Sequence, residues 1–251
     1  MTRPTVGCLI PAFNEAARIG GVLRAVIGHP LIDEVLVVDD GSSDATVDTA
    51  QRHGARVIAM PRNGGKTAAV AAGVAALRCD LLLMLDADLT GLDAAALDQL
   101  LRPVLRGEAD VAISLRGNAP LAWRLIGLDY ISGERVLPRA QLAARVGDLC
   151  ALPRFGLEVF LNRIWMAEGA RVAIIDWPGV ASPAKAHKRG LVAGARADAA
   201  MLADIFRTIS PAEALRQIAT LRNRRLRDRA RRDPAVPAAG VAALSRWRGR
   251  W

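Results

Sequence analysis

Several things are scarce in this chain, and each scarcity removes a class of protein. Hydrophobic residues make up 52% of the 251, yet no apolar run approaches the roughly 18 to 20 residues needed to cross a bilayer. No membrane-spanning helix is therefore expected. Periodic apolar character begins near Thr5, which leaves no room for a secretory leader, and a cytoplasmic protein is expected. The three cysteines, Cys8, Cys79 and Cys150, are odd in number and far apart. Buried reduced thiols suit that spacing better than a disulfide framework or a metal cluster. Aromatics amount to 4%, too few to interleave with basic residues as the stacking platforms that single strands favour, so no nucleic-acid partner is expected. The first strand-to-helix turn carries no Gly-x-Gly-x-x-Gly, which argues against a nicotinamide dehydrogenase. Lysine occurs only at Lys66, Lys185 and Lys188, so arginine supplies nearly all the positive charge behind the net +9.

What is present is a regular alternation of strand and helix signals. Strands are predicted at Val6 to Ile10, Glu34 to Val38, Ala55 to Met60, Asp80 to Leu85 and Ala109 to Leu115. Helices fall between them: one through Ile19, Val22, Leu23, Val26 and Ile27, one ending near His53-Gly54, then Lys66 to Leu77 and Asp93 to Arg106. Such alternation implies a mainly parallel sheet with helices on both faces. The length fits one large domain, or a domain with an appendage.

Beyond residue 116 the pattern changes to a turn at Ser132-Gly133-Glu134, a helix from Gly156 to Glu168 and a strand from Arg171 to Asp176. After Gly190 the chain reads as helical. Ser210-Pro211-Ala212-Glu213 forms a capping box that opens a helix presenting Leu215, Ile218 and Leu221 or Leu226 to an apolar surface. Seven arginines lie between Arg222 and Arg232, followed by Arg246, Arg248 and Arg250, with Trp247 and Trp251 among them. Asp233 to Trp251, with Pro234, Pro237 and Gly240, reads as loosely ordered. A basic surface serves nucleic acid, anionic membrane or acidic substrates alike, so charge alone does not choose between them. Docking on an anionic bilayer and a solvated tail both stay open.

The motifs that carry chemistry lie at predicted strand ends. Asp86-Ala87-Asp88 follows the apolar run Leu81 to Leu85. A buried strand ending in paired acids offers hard oxygen ligands where a divalent cation and a diphosphate can meet, although a turn with a helix cap gives the same letters. Pro11 to Glu15, Asp39 to Asp44 and Arg62 to Lys66 occupy three other such ends. Ligands of open parallel sheets sit beyond these ends, so the four segments should converge. Gly64 and Gly65 permit close backbone approach at a helix start that favours anions, and Lys66 adds a point charge there. A solvated helix-terminal lysine is the alternative. Asp39 reads as structural, and Ser42 and Ser43 as helix caps.

Ile10-Pro11-Ala12-Phe13-Asn14-Glu15, Val37-Val38-Asp39-Asp40-Gly41-Ser42-Ser43-Asp44, Arg62-Asn63-Gly64-Gly65-Lys66 and Asp86-Ala87-Asp88 together resemble the ordered motifs of family 2 glycosyltransferases with the GT-A fold. The resemblance covers about residues 5 to 116. It implies a three-layer α/β/α fold with a mainly parallel sheet and a C-terminal helical appendage. The expected organisation is a GT-A domain over 1–189, divided into a nucleotide-sugar half (1–116) and an acceptor half (117–189), then helices over 190–232 and a basic tail over 233–251.

By the same resemblance, Pro11, Ala12, Glu15 and Asp40 contact base and ribose, and Lys66, Asp86 and Ala87 complete the nucleotide-sugar site. Asp86 and Asp88 bind Mg²⁺ or Mn²⁺, with Asp88 the more direct ligand and essential to catalysis. For Glu15 a helix-start acid is the alternative. Ser114-Leu115-Arg116 and Ser132-Gly133-Glu134-Arg135 look similar to segments of the polyprenyl-phosphate sugar transferases, which makes Arg116 and Arg135 phosphate candidates or else surface arginines. Phe155-Gly156-Leu157-Glu158 resembles an acceptor-side helix with Glu158 as general base; pairing with Arg163 or Arg154 is the alternative. His187, in the loop Ala181 to Gly190, either completes the metal shell or is a solvated histidine. The Gln-x-x-Arg-Trp motif of processive synthases is missing.

The expectation is an inverting, non-processive hexosyltransferase. It would use a UDP- or GDP-linked sugar and a polyprenyl-phosphate or other lipid acceptor, cytoplasmic or peripheral at the inner face of a membrane. A non-catalytic nucleotide-sugar-binding module docked on a membrane partner is the alternative. Donor base, acceptor and oligomeric state are not readable.

Overall fold

The structure, a computed structural model, describes residues 3–119, 121–129, 131–149, 152, 156–182 and 210–223. His187, Cys150 and the basic tail beyond Asn223 lie outside the described residues. The expected strands form within a residue or two of their predicted bounds: β1 (Val6–Ala12), β2 (Glu34–Asp39), β3 (Arg56–Ala59), β4 (Leu81–Met84), β5 (Val111–Arg116) and β7 (Val172–Trp177). One strand, β6 (Arg135–Pro138), has only the Ser132-Gly133-Glu134 turn to announce it in the sequence. It is four residues long, too short for a period-2 pattern to show.

The seven strands make one sheet in the order β3-β2-β1-β4-β6-β5-β7. Pairing is parallel except where β6 runs antiparallel between β4 and β5. All four residues of β4 are buried, as a strand covered on both faces requires, and this explains its unbroken apolar run.

Helices cover both faces. α1 (Ile19–Val26) buries Ile19, Val22, Leu23 and Val26, a helical stripe. With α2 (Thr46–Arg52) and α4 (Ala94–Leu105) it packs one face, where Leu23, Leu97 and Leu100 meet Ile10 and Leu83. α3 (Lys66–Ala76) packs the other face with the short helices α6 (Ala140–Ala143) and α7 (Val146–Leu149) and with α8 (Gly156–Ala167). There Val70, Val74, Leu161 and Trp165 meet Leu9 and Leu82. The result is the expected three-layer α/β/α arrangement. α5 (Leu121–Ile126) contributes Trp123 to a small cluster with Val159 and Ala214.

The C-terminal helix, α9 (Pro211–Asn223), docks on α8. Ser210 Oγ accepts the Glu213 amide at 3.2 Å, half of the expected capping box. The Glu213 carboxylate turns instead to Arg163 of α8, at 2.7 Å. Ala214, Gln217 and Leu221 are the buried positions, and Leu215, expected to face inward, is 67% exposed. Leu221 is buried as expected and Ile218 is half-buried against Trp123 and Val159, so Leu215 alone of these departs from the expected face. Burial pushes the thiols of Cys8 and Cys79 upward, the latter to about 11, as suits reduced thiols.

α3 lies close on β1 because Gly73 has no side chain. A Cβ there would sit 2.2 Å from Leu9 Cδ1 and 3.1 Å from its Cγ. Alanine gains about 1 kcal/mol of helix propensity over glycine, whereas overpacking a filled core costs about 1 to 3 kcal/mol. Leu9 is fully buried and has nowhere to turn, so the collision should win. Gly73→Ala is expected to lower the melting temperature by a few degrees in a thermal scan; a rise would show that the α3–β1 contact can yield.

Candidate active site

The parallel register brings the carboxyl ends of β1, β2 and β4 to one edge of the sheet, with Ala12 beside Asp39 and Leu9 beside Met84. Two loops are stitched together there. Asn14, in the left-handed region at φ 54°, accepts the Ser43 amide at 2.9 Å and donates its own amide to Ser42 Oγ at 2.8 Å. The Glu15 amide donates to Thr46 Oγ1 at 2.8 Å. Ser42 and Ser43, expected as helix caps, therefore hold the β1 loop, and Asp44 takes over the turn into α2 by accepting the Thr46 amide at 3.0 Å. Glu15 precedes α1 and accepts from Arg18 Nε at 2.6 Å. Pro11 and Ala12 end β1 with Ala12 buried; Ala87 is buried as well, so what it can offer a ligand is backbone.

Asp39 is buried and accepts the Ser42 amide at 3.0 Å, a structural placement. Asp40 accepts the amides of Gly64 and Gly65 at 2.7 and 2.8 Å. The glycine amides expected to receive an anion are thus held by a carboxylate of the protein itself, which ties the end of β2 to the start of α3.

Lys66, first residue of α3, donates to Asp86 Oδ1 at 2.8 Å and to Glu158 Oε1 at 3.2 Å. Lys66 is thus tied to two acids rather than solvated, and Arg163 pairs with Glu213 instead of Glu158; Arg154 lies outside the described residues. Burial works to raise the Asp86 carboxyl, but the charge and hydrogen bond of Lys66 prevail and hold it below the usual range. Burial likewise works to lower Lys66, and the two carboxylates prevail and raise it. Asp88 is shifted the other way: burial and then the charge of Asp86 raise it.

Asp88 Oδ1 accepts from Ser182 Oγ at 3.0 Å. Thr90 and Ala181 exchange both backbone hydrogen bonds, at 2.8 and 3.0 Å. Gly91 seats against Gly179, whose carbonyl oxygen would lie 2.1 Å from a Cβ. The chain leaving β7 is therefore clamped beside Asp88, immediately before the segment that carries His187.

Beneath Asp86 lies a buried polar network. Arg116, 12% exposed, donates to Asp129 at 2.9 Å and stands 3.5 Å from Glu134 Oε2. Glu134 Oε2 accepts from Ser114 Oγ at 2.8 Å and Ser132 Oγ at 2.6 Å. Burial raises the carboxyls of both Asp129 and Glu134 against the pull of Arg116. Arg135, expected at a phosphate or on the surface, is fully enclosed. It donates to the Ser132 carbonyl at 2.7 Å and Asn162 Oδ1 at 2.9 Å, with its guanidinium 5.0 Å from the Trp165 ring centroid. Arg116 is likewise committed to internal acids rather than displayed. Glu134, Asp129 and Ser182 were not singled out from the sequence as site residues. The Ser132-Gly133-Glu134 turn is the one sequence signal near Glu134, and it gives no hint that this residue, just before β6, lies beneath Asp86.

Among the described residues no three His, Cys, Asp or Glu side chains form a ready metal cluster. Asp86 and Asp88 offer two hard carboxylates at one strand end. That donor set fits Mg²⁺ or Mn²⁺, which bind through one or two carboxylates and fill the remaining positions with water and substrate phosphate.

The chain matches glycosyl transferase family 2 over residues 8–154. Among curated relatives, the dodecaprenyl-phosphate galacturonate synthase of Rhizobium johnstonii is 31% identical over 120 residues, covering 44% of this chain and 35% of the relative. The glucosyl-3-phosphoglycerate synthase of Mycobacterium tuberculosis is 33% identical over 113 residues, covering 41% and 35%. The chain thus spans about a third of the length of these relatives. A crystal structure of glucosyl-3-phosphoglycerate synthase from M. tuberculosis with Mn²⁺ and UDP-glucose superimposes with a TM-score of 0.62 at 26% identity, covering 80% of this chain and 79% of that one.

Asp86 can reach its position because residue 133 is glycine: a Cβ there would lie 2.5 Å from Asp86 Oδ1. Gly133→Ala should push the carboxylate off Lys66 while leaving the sheet intact. The expected result is a far-ultraviolet circular dichroism spectrum like that of the parent and at least tenfold weaker UDP binding in the presence of Mn²⁺. Unchanged UDP affinity would mean that Asp86 has room to accommodate the methyl group.

Proposed function

Because the chain belongs to glycosyl transferase family 2, we propose that it moves a single hexose from a nucleoside-diphosphate sugar to an acceptor, with inversion and without processivity. The observation that supports this best is the meeting of Lys66, Asp86 and Glu158 beside Asp88 at one sheet edge. Three separate elements, α3, the end of β4 and α8, converge there on a charged centre suited to a diphosphate. The relatives favour a UDP-linked donor over a GDP-linked one.

In the proposed step an acceptor oxygen attacks the anomeric carbon, the bond from that carbon to the diphosphate oxygen breaks, and its electron pair leaves with the nucleoside diphosphate. An alcohol acceptor gives its proton to Glu158. A phosphate acceptor, already anionic, needs no base. Glu15 and Asp40, fixed by Arg18 and by the glycine amides, orient the nucleoside. Mg²⁺ or Mn²⁺ held by Asp88 and Asp86, with His187 as a third ligand, would neutralise charge on the departing diphosphate. Arg116 acts by keeping the acids below Asp86 in place, and Arg135 by bracing β6 against α8.

The acceptor class is open between a soluble molecule and a lipid phosphate, for which the R. johnstonii relative is the precedent. No helix among the described residues is long and apolar enough to cross a membrane. Docking at the inner face of a membrane through the arginines beyond residue 222 would bring a lipid acceptor within reach. Flotation with anionic liposomes tests this: association should disappear at high salt and on deletion of residues 224–251.

The transferase reading is tested by ligand-dependent melting and by turnover. UDP-glucose with Mn²⁺ should raise the melting temperature of the parent protein. Asp88→Ala should keep the parent's fold, lose that shift and lose transfer; near-normal turnover would remove Asp88 from the mechanism. Lys66→Ala should weaken UDP binding by about 1 to 3 kcal/mol, the value of a charge-assisted bond. Unchanged affinity would confine Lys66 to holding Asp86 and Glu158.

A further inference from the structure

The chain that leaves β7 is bound to the sheet edge more tightly than a surface turn needs. The Gly117 amide donates to the carbonyls of Trp177 and Val180, at 2.8 and 3.0 Å, and a Cβ on Gly117 would lie 2.2 Å from the Pro178 carbonyl oxygen. Thr90 Oγ1 adds a third hydrogen bond to Ala181, at 3.1 Å. The Asn118 side chain then grips Ser182 by its backbone: the amide nitrogen donates to the Ser182 carbonyl, and the amide oxygen accepts the Ser182 N–H at 3.3 Å. Each of these contacts holds main chain. What they leave free is the Ser182 hydroxyl, and it points at Asp88 Oδ1, 3.0 Å away.

Satisfying Asp88 does not explain this construction, because a carboxylate at a half-buried position can be satisfied by water. The spacing suits a second use. At metal–oxygen distances of about 2.0 to 2.1 Å, neighbouring oxygens of an octahedral shell stand about 2.9 Å apart. The Ser182 and Asp88 oxygens are already near that separation, so a cation can bind both without moving either backbone. Serine and threonine hydroxyls serve as Mg²⁺ ligands in phosphate-binding loops. Such a hydroxyl keeps its proton when it lends a lone pair, and the O–H turns from Asp88 toward water or a diphosphate oxygen. Being neutral, it adds an oxygen without adding negative charge to a centre that already gathers Asp86, Asp88 and Glu158. A further acid there would oppose the diphosphate.

We infer that Ser182 Oγ is a direct ligand of the divalent cation bound at Asp88. This rests on Asp88 being a metal ligand, as proposed above, and adds to it an oxygen supplied by the clamped chain after β7. A hydrogen bond alone shows the same distance, so the two roles part only when metal binds.

Metal uptake tests this on the full chain in the presence of UDP, read from the loss of the electron paramagnetic resonance signal of free Mn²⁺. Ser182→Ala should keep the parent's circular dichroism spectrum and bind Mn²⁺ more weakly by about tenfold or more. Ser182→Cys separates a ligand from a residue that only steers Asp88, because a soft sulfur at the metal favours Cd²⁺ over Mn²⁺. In calorimetric titration it should bind Cd²⁺ more tightly than the parent does. It should also show a thiolate-to-cadmium absorption band in the ultraviolet that is absent from the parent and from Ser182→Ala, both of which carry the same native cysteines. A smaller loss of Mn²⁺ in Ser182→Ala, or a cysteine variant without the gain and the band, overturns the inference. Asp88→Ala is the control. If it takes up Mn²⁺ as well as the parent, or if the parent takes up none, the metal assignment of Asp88 falls and that of Ser182 with it. If Asp88→Ala loses Mn²⁺ while Ser182→Ala keeps it, Ser182 alone is dismissed.

Discussion

One ammonium group holds the centre of this molecule together. Lys66 rises from the start of α3 and reaches Asp86 at the end of β4 and Glu158 in the first turn of α8. These acids come from separate elements and would repel each other, and Glu134 and Asp129 are buried beneath them against Arg116. Arginine supplies nearly every other cation in the chain, yet here its planar fork would be a poor substitute. A compact point charge on a flexible stem can be shared between two carboxylates that approach from different directions. The lysine is therefore an electrostatic hub for β4, α3 and α8, and the position of each acid depends on it.

The same centre separates the two acids of Asp86-Ala87-Asp88 into different kinds of ligand. Asp86 sits against Lys66 with Arg116 nearby, and its carboxyl is held low; Asp88 feels burial and the charge of Asp86, and its carboxyl is raised. Asp86 is thus a committed anion, already compensated by the protein. Asp88 is the carboxylate with the most to gain from an added positive charge. The different neighbours follow from topology, because β6 runs antiparallel beside β4 and places Gly133 and Glu134 against Asp86.

Much of the edge of the sheet was legible in the sequence because it is built from local signals. Apolar runs that end in Asp39-Asp40 and Asp86-Ala87-Asp88 mark strand ends, and the stripe in α1 marks a one-sided helix. Roles that depend on contacts across the fold were not legible. Asp40 reads as a ligand contact, and nothing local shows that it also accepts the amides of Gly64 and Gly65. Ser42 and Ser43 have the letters of caps, but Asn14 competes for them from another loop. Arg135 looks like a surface cation, and only the position of α8 reveals that Asn162 and Trp165 enclose it. Charged residues in short elements carry no periodicity, so nothing local separates a displayed arginine from a buried one.

The clamp beside Asp88 shows how strongly the site is fixed and where it can still respond. Thr90 with Ala181 and Gly91 with Gly179 join the β4–α4 loop to the chain after β7 by backbone contacts, which side-chain rearrangement cannot undo. The link from Ser182 to Asp88 is different, a single side-chain hydrogen bond at 3.0 Å. Such a bond to a charged group is worth about 1.5 to 3 kcal/mol, less than a divalent cation can draw from the same carboxylate. Rigid backbone pairing therefore sets the position of Asp88, while the one contact on its oxygen is weak enough to be exchanged. Residue 182 is also the last described position before the segment that carries His187. Whatever replaces the Ser182 hydroxyl on Asp88 therefore acts at the residue next to the backbone clamp formed by Ala181 and Thr90.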